Sequence, residues 1–232
     1  SRWFAVASLG DPTAGATLDA WEANLSTRVE VARGAFANPF GGGDAGLRVS
    51  PDGRALLFVG SVASPLPVGA LTLWSHRERT SRVVATGVPA NAYAVTDDWR
   101  RVAAVEGVRP GDGAPTPDAL AGDLVVRDLA TGRAQGIERT VTVSSVEFAR
   151  GGAAVVYVTG GFPPGTPATL KACAVGATPV TLDAGVFPMF APSRSVVVSP
   201  AGDAVAYSAD VDPARFAGDL RLARVPGGAG SV

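Results

Sequence analysis

An all-β fold built from repeated four-stranded antiparallel units is what this sequence predicts, and three observations carry that expectation. The first is an internal repeat. Val49–Phe58, Val95–Ala104, Phe148–Tyr157 and Val198–Tyr207 read as copies of one another, starting 46, 53 and 50 residues apart. A period of this size marks one supersecondary unit used repeatedly. The second is a further common block downstream of each copy: Gly69–Trp74, Gly122–Leu129, Ala168–Cys173 and Gly218–Ala223, with a fifth at Ala16–Trp21. Each opens on a small or turn residue and then alternates, as a half-buried antiparallel strand does. The third is the lack of helical periodicity, the best candidate being one turn at Asp212–Phe216. Four antiparallel strands recurring about every 50 residues describe a β-propeller.

The elements follow in order, with the strands of one unit called a, b, c and d. Each first copy supplies the end of strand a, a tight turn and strand b; each second block is strand c. Short polar turns such as Leu25-Ser26-Thr27, Thr80-Ser81 and Ala130-Thr131-Gly132 lead into edge-type strands d, as at Arg28–Val31 and Arg82–Ala85. Ser50-Pro51-Asp52-Gly53 has the chemistry of a type I turn, proline presetting the second position and glycine suiting the fourth. Ser199-Pro200-Ala201-Gly202 repeats it, whereas Asp98-Trp99 departs from it and predicts a different turn. The repeats fall at about 1–34, 35–86, 87–136, 137–183 and 184–232, in one propeller domain. The first lacks strand a, preceding its c block only with Trp3–Ala7, and the last lacks strand d. An incomplete ring leaves apolar blade faces open, so about five repeats within a larger propeller is favoured over a five-bladed ring with a defective seam. Self-association through open blade faces follows as an expectation, and the start at Ser1 without methionine implies that something upstream has been removed.

Composition bounds the function classes. The chain has 232 residues, is 47% hydrophobic and 18% charged, and carries a formal net charge of −1. That balance suits a soluble globular domain and lacks the basic footprint of a nucleic-acid binder, so no nucleic-acid partner is expected. Glycine and proline cluster between apolar runs, which is turn punctuation. No stretch approaches the roughly 18 apolar residues that span a bilayer, so no membrane span is expected. Cys173 is the single cysteine, which excludes an internal disulfide and a cysteine-built zinc site. It lies in a strand block, where a buried inert thiol is expected.

The run of an aromatic or valine, Ser-Pro-Asp-Gly, an apolar strand, a variable loop and a Leu-x-Val-x-Asp-Leu strand resembles the TolB-type, WD-like propeller repeats. The match is good at 49–58 and 123–129, partial at 198–207, and weak at 95–105 and 148–157. The resemblance implies a propeller, and proteins of this type often work in the bacterial envelope as scaffolds. A periplasmic or secreted location follows from it. Similar repeats also precede the α/β-hydrolase domain of prolyl-oligopeptidase-like serine peptidases, where the propeller filters access to the catalytic site.

In a propeller the b–c and d–a loops surround the central channel on one face, and here those are the long loops. They include 10–15, 61–67, 108–122, 159–167 and 208–218. Long loops on a rigid scaffold mark a binding surface. Two d–a loops carry aromatic residues in related settings, Phe36 with Phe40 and Phe187 with Phe190, which would anchor a peptide or protein. Phe162, Arg109, Arg215 and the acids Asp112, Asp210 and Asp212 complete the candidate partner-binding set. Loop acids Asp11, Asp112, Asp118, Asp210 and Asp212 lack the dense spacing of a calcium loop, so no metal site is expected.

His76, the only histidine, follows strand c on the turn-bearing side, and no Gly-x-Ser-x-Gly elbow presents a nucleophile. Gly41-Gly42-Gly43 lacks the Lys-Ser/Thr and helix of a phosphate loop. Trp3, Trp21, Trp74 and Trp99 are expected to pack between blades. Together these readings predict a non-catalytic scaffold with no cofactor, binding a protein or peptide on its loop face. The alternative is the gating propeller of a serine peptidase whose catalytic domain lies outside this chain.

Overall fold

The computed structural model describes residues 3–9, 16–22, 28–35, 47–63, 68–90, 92–108, 121–160, 166–186, 196–212 and 217–227. They form antiparallel sheet, with no α-helix among the described residues and one 3-10 turn at Arg150–Gly152. The chain divides into two compact units, Ser1–Asn91 and Ala92–Val232.

In the first unit, β1 (Trp3–Leu9), β2 (Ala16–Glu22) and β3 (Arg28–Ala35) form one sheet in that order. β4 (Leu47–Val49), β5 (Ala55–Ala63), β6 (Val68–Ser75) and β7 (Thr80–Pro89) form a second. Leu18 and Ala20 of β2 bury against Leu56, Phe58 and Trp74 of the next sheet, with Val29, Val31 and Ala32 of β3 at the margin. Trp74 thus packs between blades as predicted, while Trp21 is half-buried beneath the Arg28 guanidinium, 5.7 Å from its ring centre.

The second unit opens with β8 (Tyr93–Val95), β9 (Arg101–Glu106), β10 (Gly122–Asp128) and β11 (Ala134–Val141), paired in that spatial order. β12 (Val143–Ala149), β13 (Ala154–Gly160), β14 (Ala168–Ala174) and β15 (Val180–Val186) follow. Then come β16 (Val196–Val198), β17 (Ala204–Asp212) and β18 (Ala217–Arg224), joined to the preceding blade by the single pair Val186–Ala209. The strands a, b, c and d read from the sequence occupy these positions with two corrections. β7 already contains the Thr80-Ser81 expected as a turn. β5, β13, β17 and β18 run into the loops expected at 61–67, 159–167 and 208–218, because the hairpin ladders continue there.

Burial explains the residue choices. The b strands are buried without interruption over 56–60, 102–105 and 154–158. A strand covered on both faces reads as a continuous apolar run and does not alternate. Tyr207, Val205 and Ala209 of β17 are buried while Ala204, Ala206 and Ser208 between them are not. That strand is covered on one face.

The a–b turn departs from expectation at one copy. Trp99 N–H donates to Thr96 O at 2.9 Å, just as Gly53 does to Ser50 and Gly202 to Ser199, both at 2.8 Å. Trp99 has φ 57°, matching 69° at Gly53 and 71° at Gly202. The predicted different turn is therefore the same turn, with tryptophan in a glycine position. The side chains hold it there. Thr96 Oγ1 donates to Asp98 at 2.7 Å and accepts from Arg101 N–H at 3.1 Å, as Ser50 does with Asp52 and Ala55 at 2.7 and 2.9 Å. The copy that differs is the third, where Ala149 replaces the hydroxyl residue and the 3-10 turn closes one residue later, Ala153 N–H donating to Arg150 O at 3.1 Å.

Each of the four c–d ladders described carries the same irregularity. Register slips on both sides of one leucine: Leu18 opposite Ala32, Leu71 opposite Ala85, Leu124 opposite Glu138 and Leu170 opposite Asp183. Strand d thus bulges at one fixed place in every repeat, and its extra residues include Gly34, Gly87, Thr140 and Gly185. Thr140 takes the left-handed conformation there, φ 52° against 63° at Gly87, and its N–H is held by the Asp123 carboxylate at 3.0 Å.

Two substitutions test the turn account. A Cβ at Gly202 would lie 2.0 Å from the Arg150 backbone nitrogen, on a residue already at φ 71°. Gly202→Ala is expected to cost roughly 2 kcal/mol or more of unfolding free energy. Trp99→Gly relieves about 1 kcal/mol of left-handed strain and is expected to leave stability unchanged or improved. Urea unfolding of both variants reads the contrast; equal losses would sink it.

Candidate partner-binding face

The antiparallel order puts the a–b and c–d turns at one end of each blade and the b–c and d–a connections at the other. The turn end is tightly stitched. The residue after strand c donates to the carbonyl before strand b in four repeats: His76 to Arg54, Leu129 to Arg100, Val175 to Ala153 and Val225 to Asp203, at 2.7–2.9 Å. Side chains link successive turns in the second unit, Arg101 donating to Gly152 O at 3.3 Å and Arg150 to Val225 O at 2.7 Å. Asp98, Asp52 and Asp203 are held below the usual carboxylate range, first by hydrogen bonds from Thr96, Ser50 and Ser199. Asp128 is held low by the Thr131 N–H and hydroxyl. A cleft of about 230 Å³ lined by Thr96, Asp98, Arg100, Arg101, Gly151 and Ala153 lies at this end, its carboxylate already engaged. His76 also sits here, its ring 5.7 Å from that of Trp74.

Most residues predicted for the opposite, loop end lie outside the described residues: Phe36, Phe40, Arg109, Asp112, Phe162, Phe187, Phe190 and Arg215. Asp212 is placed as the last residue of β17, and Asp210 is exposed near the end of that strand with φ 48°. Asp210 is ion-paired with Arg221 of β18, so the structure brings one predicted acid into a network.

That network belongs to a pattern the sequence reading missed. Tyr207 of β17 lies directly across from Arg221 of β18, and both reach Asp183 on strand d of the preceding blade. The Tyr207 hydroxyl donates to Asp183 at 2.8 Å and Arg221 approaches it at 3.2 Å. One blade earlier, Tyr157 of β13 lies across from Lys171 of β14, and both donate to Glu138 of β11, the lysine at 2.6 Å. Acid on strand d, tyrosine on the next b, base on the next c: the same clasp closes two successive blade interfaces. A signal existed. Tyr157 and Tyr207 are the tenth residues of their repeat copies, Lys171 and Arg221 each follow the block leucine, and both acids sit where strand d bulges opposite the preceding blade's leucine. The corresponding residues are Phe58, Thr72 and Ala32 in the first unit, where an apolar core replaces the clasp.

The electrostatics make these tyrosines donors. Burial, then the Glu138 carboxylate, push the Tyr157 phenol far above its ordinary range, and the same causes with Asp183 push Tyr207 up to about 12. Asp183 is held low, first by the Gly185 N–H and next by the Tyr207 hydroxyl. Cys173, beside Tyr157's strand, is buried with its thiol pushed up by burial. The two phenols are thus held as hydrogen-bond donors and the Cys173 thiol is held protonated. Among the described residues no group of three or more His, Cys, Asp or Glu side chains is arranged to hold a metal ion, and no helix is long and apolar enough to cross a membrane.

No family model matches this chain, and no curated protein does. Solved structures do. TolB from Acinetobacter baumannii aligns with a TM-score of 0.55 at 14% identity, over 96% of this chain and 50% of that one. A prolyl endopeptidase aligns at 0.58 and 13% identity, over 99% of this chain and 36% of its own. The β-propeller domain of the Trilobed protease from Pyrococcus furiosus aligns at 0.56 and 12% identity, over 96% and 65%. This chain therefore spans a third to just under two thirds of these three structures. At such identities the likeness shows the fold, and the fold is a β-propeller.

The clasps yield a pH prediction. A tyrosine whose pKa is raised on folding contributes fully below the unfolded value near 10 and loses that contribution as pH climbs through the folded one. Tyr207, at about 12, should therefore add an alkaline loss of stability between these values. Absorbance titration at 295 nm should show Tyr157 and Tyr207 still protonated at about pH 11. Tyr207→Phe should remove one late-titrating group and cost about 1.5–3 kcal/mol, as loss of a hydrogen bond to a charged acceptor does. Ionisation of both clasp tyrosines near pH 10 would refute the clasp.

Proposed function

We propose that this chain is a non-catalytic propeller scaffold that binds a protein or peptide partner on the face formed by its long b–c and d–a loops. The observation that carries it is the inequality of the two blade ends. The turn end is locked by backbone and side-chain bonds, and its carboxylates Asp52, Asp98 and Asp203 are occupied within their own turns. The other end supplies the longest connections, 36–46, 107–121 and 187–195, beside short ones at 64–67, 90–92, 142 and 213–216. Its sequence carries Phe36, Phe40, Phe162, Phe187, Phe190, Arg109 and Arg215, residue types that anchor protein interfaces. We take the five repeats as one propeller domain. The TolB-type resemblance favours the bacterial envelope, periplasmic or secreted, as its setting.

A second reading has its own support. The prolyl endopeptidase alignment covers 99% of this chain and 36% of that enzyme, a proportion that suits a propeller belonging to a larger peptidase and gating its catalytic domain. The mass of the native polypeptide carrying these residues separates the two: a hydrolase domain attached to it would replace the scaffold by the gate.

Photo-crosslinking tests the face. A benzophenone amino acid at Phe187 or Phe190 is expected to capture a discrete polypeptide in the source cells, and one at Arg133 on the turn end is not. Phe187→Ala with Phe190→Ala should weaken that association at least about tenfold, or about 1.4 kcal/mol. Capture from Arg133 alone would move the binding face to the opposite end.

A further inference from the structure

Two departures from the repeat face each other at the turn end of the second unit. The first is Arg101, the opening residue of β9, where the other three copies carry alanine: Ala55, Ala154 and Ala204. The second is the turn Ala149-Arg150-Gly151-Gly152, which stands where two copies have Ser-Pro-x-Gly and one has Thr-Asp-Asp-Trp. Its last three residues are all left-handed, at φ 51°, 60° and 89°. A Cβ on Gly152 would lie 2.6 Å from Thr96 Cγ2, so the two turns touch there, whereas one on Gly151 would meet nothing within 4 Å. The cleft of about 230 Å³ lined by Thr96, Asp98, Arg100, Arg101, Gly151 and Ala153 lies between them. In a repeat, positions that break the common pattern with no gain in packing are where function is to be sought.

The lining offers guanidinium groups with donors to spare. Arg101 Nη1 donates to Gly152 O at 3.3 Å, which fixes that side chain beside the glycine turn. The Arg100 side chain is 81% exposed, its Nε 3.6 Å from Asp98 Oδ2, and its terminal nitrogens make no hydrogen bond among the described residues. Asp98 is the acid of the lining, and its Oδ1 already accepts from the Thr96 hydroxyl at 2.7 Å and the Arg100 N–H at 3.0 Å. Asp97 and Asp128 lie outside the lining, and Asp128 is taken up by the Thr131 N–H and hydroxyl. Two positive charges therefore line the cleft against one negative.

We propose that this cleft binds a small organic monocarboxylate, its carboxylate between the Arg100 and Arg101 guanidinium groups and its body over Gly151. A planar guanidinium fork matches the two oxygens of a carboxylate. One net positive charge suits a monoanion, whereas a phosphate dianion would set a second negative charge against Asp98. Size limits the body. A cavity of about 150 Å³ admits benzene, so one of about 230 Å³ takes an acid only a little larger and excludes a folded segment of protein. The site is thus distinct in place and in ligand from the loop face at the other blade end. Its charges stand in solvent and are screened, which puts the dissociation constant on the order of 1 mM.

Amide proton–nitrogen chemical shifts of the whole chain, followed during titration with propionate up to about 30 mM at constant ionic strength, read this site. Saturable shifts at Gly151, Gly152 and Arg101 are expected, half complete at about 1 mM. Arg100→Gln changes an exposed side chain and should weaken binding at least about fivefold while leaving the melting temperature unchanged. Arg100→Gln with Arg101→Gln should abolish saturation. Arg54, 3.7 Å from Asp52 in the same turn position of the first unit, is the control, and Arg54→Gln should leave the titration unaltered. Shifts that rise linearly to the top of the range overturn the proposal, as does saturation that survives the double variant. Inorganic phosphate saturating the same amides at lower concentration than propionate would overturn the carboxylate assignment.

Discussion

Everything in this fold depends on blade faces packing against one another. A single four-stranded blade is too thin to have an interior of its own; its b and c strands become buried only when a neighbour covers each face. The continuous apolar run at 154–158, which lies between two blades of its own unit, is the sequence record of that double coverage. It also explains why the repeats can diverge so far in sequence. A face needs volume and apolarity at a few positions, and leucine, valine or alanine supplies both.

On that apolar base the second unit adds polar registration. A carboxylate, a phenol and a base meet across each of two blade interfaces, and all three are drawn from different strands. Sliding one blade along the next would separate the partners and leave a half-buried carboxylate without its donors. That penalty is steep in a half-dry setting. The apolar packing holds the blades together, and the clasps fix where along one another they sit.

The repeat, its four strands and the side on which the short turns lie were legible because the signals are local: turn residues at fixed offsets and alternation within one strand. The clasps were not, because no short window contains one. Glu138, Tyr157 and Lys171 lie on three strands of two repeats and look ordinary in each. Trp99 misled for the opposite reason. Asp98-Trp99 departs from the Ser-Pro-Asp-Gly chemistry, yet the Thr96 and Asp98 side chains hold tryptophan in the same turn. The aromatic and charged loop residues that carry the binding proposal lie in the long connections, where neither alternation nor a turn motif constrains placement.

The bulge opposite each block leucine has a meaning beyond the blade it sits in. Strand d is the outermost strand, the one whose second edge meets no further strand of its own blade in β3, β7 and β11. Two extra residues bend and twist that rim, so its exposed amide and carbonyl groups do not line up with a straight foreign strand. Every blade that has its fourth strand is thereby guarded against fibre-like growth at its margin. The last three strands have no such guard among the described residues, and their outer edge is β18, an ordinary strand ending the sheet.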